Sequence, residues 1–309
     1  MLVVQTASDR ILRDERTVIT DDEIAFFNRN NFVFPKVGLP EEDAAFMREA
    51  VEQAFRDNPN WAGIVRMPHV PRRPGQLEGI IGGEALFRLA LHPTIIGAAR
   101  RLIGPNLIMW GGEIFAKPAG TGKRTPWHQD CYNPAVKAGP GRRLPRSAQL
   151  WIAVDDVDSS NGSLQFVPRS GKNGPLKHLQ FSQTGDLLNF ELRSDEVDFN
   201  QAVSSVLKSG QYSVHDLFVV HGASANVSGR RRAGLTFHYM AAEDLYDRSF
   251  GDAIGSGRDT PAPLARRPIW LVLGENKCDG NDFVTGHQNL EDLDELAESV
   301  RRQLTRLLT

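Results

Sequence analysis

Residues Thr125–Asn133 read TPWHQDCYN. His128 and Asp130 stand two apart, and on a strand residues i and i+2 project from the same face. Two such groups can share a metal ion or hydrogen-bond each other, and the pair alone does not choose between these. Of the eight histidines, His69, His92, His178 and His287 fall in predicted loops or at helix ends, where surface or structural roles are expected. His238, inside the apolar run LTFHYM, is expected at the edge of a core, and His215, in YSVHDLF, is placed to line a pocket. His221 differs: it closes the apolar run LFVV and opens HGASANVSG, which is rich in small and turn residues. Eleven residues later Arg232 begins the apolar run RAGLTF. A charge at the start of a core strand must be satisfied. A dicarboxylate ligand gripped bidentately would do so, and a protein carboxylate would do so equally well.

Two histidines and a carboxylate are the donor set of the facial triad in non-haem Fe(II) enzymes. That triad leaves metal positions open for an α-keto acid and O2, and Arg232 would take the keto acid's far carboxylate. The same donors also suit zinc hydrolysis, a metal-dependent barrel enzyme of another kind (an isomerase or other dioxygenase), or a non-catalytic metal-binding barrel. Arg232 separates the first reading from the others.

The elements that must position these residues change character along the chain. The first hundred residues read as helical. Thr20–Glu23 has capping-box spacing ahead of Ile24, Phe26 and Phe27. Pro40 opens PEEDAAFMREAVEQAF, with apolar residues at helical spacing, and HPTIIGAARRLIG has proline near its start and Gly104 at its end. Arg66–Gly83 between them holds three prolines and four glycines, and Pro68–Gly83 is a candidate lid loop. After Gly104 the texture is β-rich: NLIMWGGEIFAKPA, SAQLWIAVDDV, a turn at Asn161-Gly162 feeding a further strand, QYSVHDLFVVHGAS and RAGLTFHYMA. NLEDLDELAESVRRQL reads as a closing helix. The expectation is one domain over residues 1–309: a helical part over about 18–104, a β core over about 105–243, and a C-terminal extension and helix over 244–309.

The 309 residues carry a formal net charge of −2, which gives no global pull towards nucleic acid or anionic membrane. Two cysteines are too few for a disulfide framework. With no signal-peptide core and no membrane-length apolar run, a cytoplasmic location is expected. Oligomeric state is not legible. The loop after the HxD pair carries Arg142, Arg143 and Arg146, whose charge would attract an anionic small-molecule substrate if the loop overhangs the metal.

PWHQD, QLWIAVDDVDSSNGSLQFVPRSG and HGASANVSGRRR, with the helical start Ile19–Val51, together resemble the phytanoyl-CoA dioxygenase family of Fe(II)- and 2-oxoglutarate-dependent oxygenases, over roughly residues 18–243. The resemblance implies a mainly β fold with flanking helices around a double-stranded β-helix, the cupin-like jelly roll. It implies Fe(II), 2-oxoglutarate and O2 as cofactor and cosubstrates, with succinate and CO2 released. His128, Asp130 and His221 match the iron ligands, and Arg232 matches the arginine that pairs with the 2-oxoglutarate C5 carboxylate. Gln129 and Trp151 match positions lining the cosubstrate pocket. The family's serine two residues after the distal histidine is Ala223 here, and Ser224 is the adjacent hydroxyl; Asn226 fits the family's turn. Related halogenases lack the carboxylate of the triad. Its presence as Asp130 favours hydroxylation or another oxidation of a small metabolite.

Overall fold

The computed structural model describes residues 18–59, 66–68, 81, 83–120, 122–132, 135–180, 185–192, 195, 197–249 and 269–283. Four helices precede most of the sheet structure: Asp21–Asn30, Glu41–Asp57, Gly83–Ala90 and Pro93–Ile103. The first is closed by the expected capping box, Thr20 and Glu23 each satisfying the other's backbone N–H. The last starts at its proline and stops at Gly104, whose φ of 116° suits only glycine.

The strands in chain order are β1 (Phe32–Val33), β2 (Arg66–Pro68), β3 (Leu107–Lys117), β4 (Thr125–His128), β5 (Val136–Lys137), β6 (Ser147–Ala153), β7 (Leu164–Phe166) and β8 (His178–Gln180). There follow β9 (Phe190–Leu192), β10 (Val203–Ser204), β11 (Tyr212–His215), β12 (His221–Ala223), β13 (Arg232–Ala241), β14 (Leu245–Tyr246) and β15 (Trp270–Leu273). The larger sheet runs β1-β11-β6-β13-β3-β15, with β2 added on β3, and the smaller runs β10-β7-β12-β4. Every pairing in both is antiparallel. The predicted run QYSVHDLFVVHGAS is therefore two strands, and the chain crosses between sheets within it.

Alternation along β13 sorts the two faces of the larger sheet. Ala233, Leu235, Phe237 and Tyr239 join the helices' apolar residues, Ile95, Ala98 and Leu86 among them, in the largest core cluster. Arg232, Gly234, Thr236 and His238 take the other face, towards the smaller sheet. Phe32 of β1 stacks on Phe166 of β7 with centroids 5.0 Å apart, joining the two sheets face to face. This is the expected jelly roll: mainly antiparallel sheet with helices packed outside.

Two expectations need adjustment. Arg66–Pro68, read as the head of a loop, is a strand paired with Glu113–Phe115; residues 69–80 and 82 of the candidate lid lie outside the described residues. The predicted closing helix also lies outside them.

Candidate metal and cosubstrate site

His128 ends β4 and His221 begins β12, and the two are cross-strand partners. Their rings sit 4.2 Å apart, centroid to centroid. Asp130 is not on the strand. The ladder stops at His128, and Asp130 opens a 3-10 turn, Asp130–Tyr132. The turn, rather than strand alternation, aims the carboxylate back at the imidazoles. The ligand atoms of His128, Asp130 and His221 all lie within 4.8 Å of one another.

Hydrogen bonds fix both tautomers. His128 Nδ1 is 2.8 Å from Pro126 O, and His221 Nδ1 is 3.1 Å from Val219 O. A carbonyl only accepts, so each Nδ1 carries the proton and each Nε2 presents a lone pair. Those Nε2 atoms face Asp130 Oδ1 at 3.7 and 3.8 Å. Two lone pairs and an anionic oxygen converging at these distances call for a cation between them, and the donor set fits Fe(II). Burial works to raise the Asp130 carboxyl, and the hydrogen bond from His215 Nε2 works to lower it. Burial keeps His221 neutral, as a ligand must be.

Arg232 is the second feature. It is 2 % exposed, and its Nε and Nη2 are buried with no hydrogen-bond partner. Its guanidinium lies over the Trp151 ring, 4.4 Å from the centroid. Gly234 makes room for that indole: a Cβ there would lie 1.8 Å from Trp151 Cζ2. Arg232 forms no ion pair among the described residues, and Arg231 takes Asp155 and Glu52 instead. Two orphaned, charge-bearing donors in a closed site fit the carboxylate of a dicarboxylic acid.

Sequence reasoning missed Lys117. It is the cross-strand partner of Arg232 and is fully buried, with Nζ donating to Ser224 O at 2.6 Å and Ala223 O at 3.3 Å. Burial first, and Arg232's charge second, push its ammonium down to about 6. The available signal was a lone lysine closing an apolar strand, EIFAK.

Other predicted residues sit elsewhere. Gln129 donates to Gly174 O and Phe218 O and accepts from Leu176 N. Its amide is thereby committed to backbone and braces the loops beside His128 and Asp130. Ser224 is exposed and contributes only its carbonyl, to Lys117. Arg142 pairs with Asp244 and Arg146 with Glu243, while Arg143 donates to Asn173 O. The loop is held down by these partners. His215 lies beside Asp130, with Nε2 3.2 Å from Oδ2. His238 is inside the barrel, stacked on Trp110 and bonded to Gln149. Burial and the Asp130 charge push the Cys131 thiol up to about 12, so it is a protonated, unreactive residue. The β8–β9 pair lies beside the site: the Phe190 and His128 rings meet edge to face with centroids 5.9 Å apart, and Arg124 pairs with Glu191 and Asp186.

A sequence model of the phytanoyl-CoA dioxygenase (PhyH) family matches residues 32–234. The chain belongs to the phytanoyl-CoA dioxygenase family. It is an Fe(II)- and 2-oxoglutarate-dependent oxygenase, and His128, Asp130 and His221 form a group that could hold a metal ion. Among PhyH relatives, it is 24% identical to the peroxisomal phytanoyl-CoA dioxygenase of Mus musculus, over 74% of this chain and 70% of that one. Two solved structures share the fold. The non-heme monooxygenase ThoJ in its apo form superposes with a TM-score of 0.61 at 23% identity, covering 92% of this chain and 94% of the other. EctD from S. alaskensis with 2-oxoglutarate and 5-hydroxyectoine does so with a TM-score of 0.57 at 17% identity, covering 86% and 88%.

Proposed function

We propose that this chain is one oxygenase domain that hydroxylates an unactivated C–H bond of a small-molecule metabolite. His128 Nε2, Asp130 Oδ1 and His221 Nε2 would hold the iron, and Arg232 with Lys117 would hold the far carboxylate of 2-oxoglutarate. Iron and 2-oxoglutarate, when bound, supply oxygen activation. Overall, one oxygen atom of O2 enters the C–H bond and the other enters succinate as CO2 leaves. The protein's own contribution is positional: carbonyl-locked tautomers, a buried cationic anchor, and Phe190 excluding water beside His128. Asp130 occupies the position that a halide would need, which favours hydroxylation.

The observation that carries this reading is Arg232, a buried guanidinium with no carboxylate partner among the described residues. The PhyH relatives whose names specify a substrate act on small molecules, phytanoyl-CoA and ectoine, and a small metabolite is proposed here too. Recognition of an anionic substrate would rest on Arg143, since Arg142 and Arg146 are spent on Asp244 and Glu243. Among the described residues no helix is long and apolar enough to cross a membrane. We propose the cytoplasm, where Cys131 and Cys278 would stay as thiols.

The test is an anaerobic titration of the metal-free protein with Fe(II) and then 2-oxoglutarate. A visible charge-transfer band requiring both additions, and lost in Arg232→Ala, is expected. Tight iron binding without a band would remove 2-oxoglutarate from the reading.

A further inference from the structure

Asp130 is the least constrained member of the triad. It stands on a three-residue turn outside both ladders, and it is the one ligand that is not classed as buried. A carboxylate has two oxygens, and its rotation decides whether one or both reach a metal. With one bound, three protein atoms leave three positions of an octahedral ion; with both, only two remain.

We infer that His215 is a positioning residue for this site, holding Asp130 Oδ2 so that Oδ1 alone faces the metal. The inference rests on the metal-centre reading above. Asp130 Oδ1 faces His128 and His221, whereas Oδ2 turns 3.2 Å from His215 Nε2. An ionised carboxylate has no hydrogen to give and only accepts, so His215 Nε2 carries the hydrogen. Nδ1 is buried and has no partner among the described residues, so no competing bond seen there turns the ring away.

His215 comes from the opposite sheet, and its backbone is pinned from both sides, by Phe32 of β1 and Gln149 of β6. Its ring packs against Phe166 at 5.2 Å and His221 at 4.6 Å. The donor that orients the ligand on the turn therefore stands on a strand paired on both sides. Backbone carbonyls orient the two histidine ligands; a side chain from across the barrel orients the carboxylate.

The test is an anaerobic Co(II) titration of the metal-free full-length chain, read by affinity and by the visible d–d bands. His215→Phe keeps the ring volume and the Phe166 contact but removes the donor. It is expected to weaken Co(II) binding roughly 10–100-fold and to shift the bands. His215→Gln, which retains an N–H near the same reach, is expected to restore most of both. A Phe variant that matches wild type in affinity and spectrum overturns the inference, and so does a Gln variant as weak as Phe. Thermal unfolding of the metal-free variants checks folding. If Phe does not fold, His215→Asn, polar but too short to reach Oδ2, takes its place with the same expectations. Equal Co(II) binding by wild type and His221→Ala would remove the metal centre itself, an outcome distinct from failure at His215 alone.

Discussion

Lys117 and Arg232 are cross-strand partners on β3 and β13, so two buried basic side chains stand side by side in the barrel. Neither makes an ion pair with a carboxylate among the described residues. Two like charges out of water repel, and burial penalises each. The Lys117 ammonium falls to about 6 and Arg232 to about 9. An incoming dicarboxylate reverses the penalty.

The first prediction follows from that reversal. At pH 7.5 Lys117 is neutral in the ligand-free protein and charged once a carboxylate sits beside it. Binding of 2-oxoglutarate should take up close to one proton per site, measured calorimetrically in two buffers of different ionisation enthalpy. Lys117→Met should abolish the uptake, and zero uptake in wild type would sink the idea. Linkage gives the companion effect. The folded value lies below the unfolded value of about 10.4, so between pH 6 and 10 the unfolded chain binds more protons. The stability of the ligand-free protein should therefore rise with pH across that window, and bound 2-oxoglutarate should flatten the rise. Denaturation midpoints at pH 6.5 and 8.5 read both slopes.

Arg232→Lys retains charge but loses the planar fork and the flat contact on Trp151. A hydrogen bond to a charged group contributes about 1.5–3 kcal/mol. The dissociation constant for 2-oxoglutarate, from titration of the charge-transfer band, should rise about ten- to hundredfold. An unchanged constant would show that charge alone anchors the ligand.

Gly234→Ala should act on the same anchor from behind. Its Cβ would overlap the Trp151 indole, so the ring must move and the guanidinium loses its platform. Overpacking of this kind costs about 1–3 kcal/mol. Urea denaturation should show that loss, with weaker 2-oxoglutarate binding beside it. A destabilised variant with wild-type affinity would mean that Trp151 does not orient Arg232.

Gln129→Leu separates a brace from a ligand contact. The substitution strands Gly174 O, Phe218 O and Leu176 N. Unsatisfied buried groups cost about 1–3 kcal/mol each. The expected result is a stability loss of about 3 kcal/mol or more, with 2-oxoglutarate affinity in the surviving folded protein near wild type. A selective loss of affinity at unchanged stability would return Gln129 to the pocket.

Much of the site was legible because its signals are local in sequence. HxD, a histidine where an apolar run meets small residues, and an arginine opening a core strand are each visible in a few residues, and the structure brings His128, Asp130 and His221 together. The basic loop shows the converse. Arg142 and Arg146 follow the HxD pair closely, but their partners Asp244 and Glu243 lie about a hundred residues on. Proximity in the chain suggested a substrate role; the carboxylates that hold these two arginines were not legible because they are distant in sequence.

The sequence by itself determined the donor types, their order, the helical cap at Thr20 and the alternation that gives β13 its two faces. These depend on side-chain chemistry and on periodicities within one element. The tertiary structure alone decided the pairing of Lys117 with Arg232, the aim of Asp130 from a turn, and the reach of His215 to its second oxygen. The first is a register between strands distant in the chain and the others are contacts between segments distant in the chain; both are set by how two faces pack, which no single segment encodes.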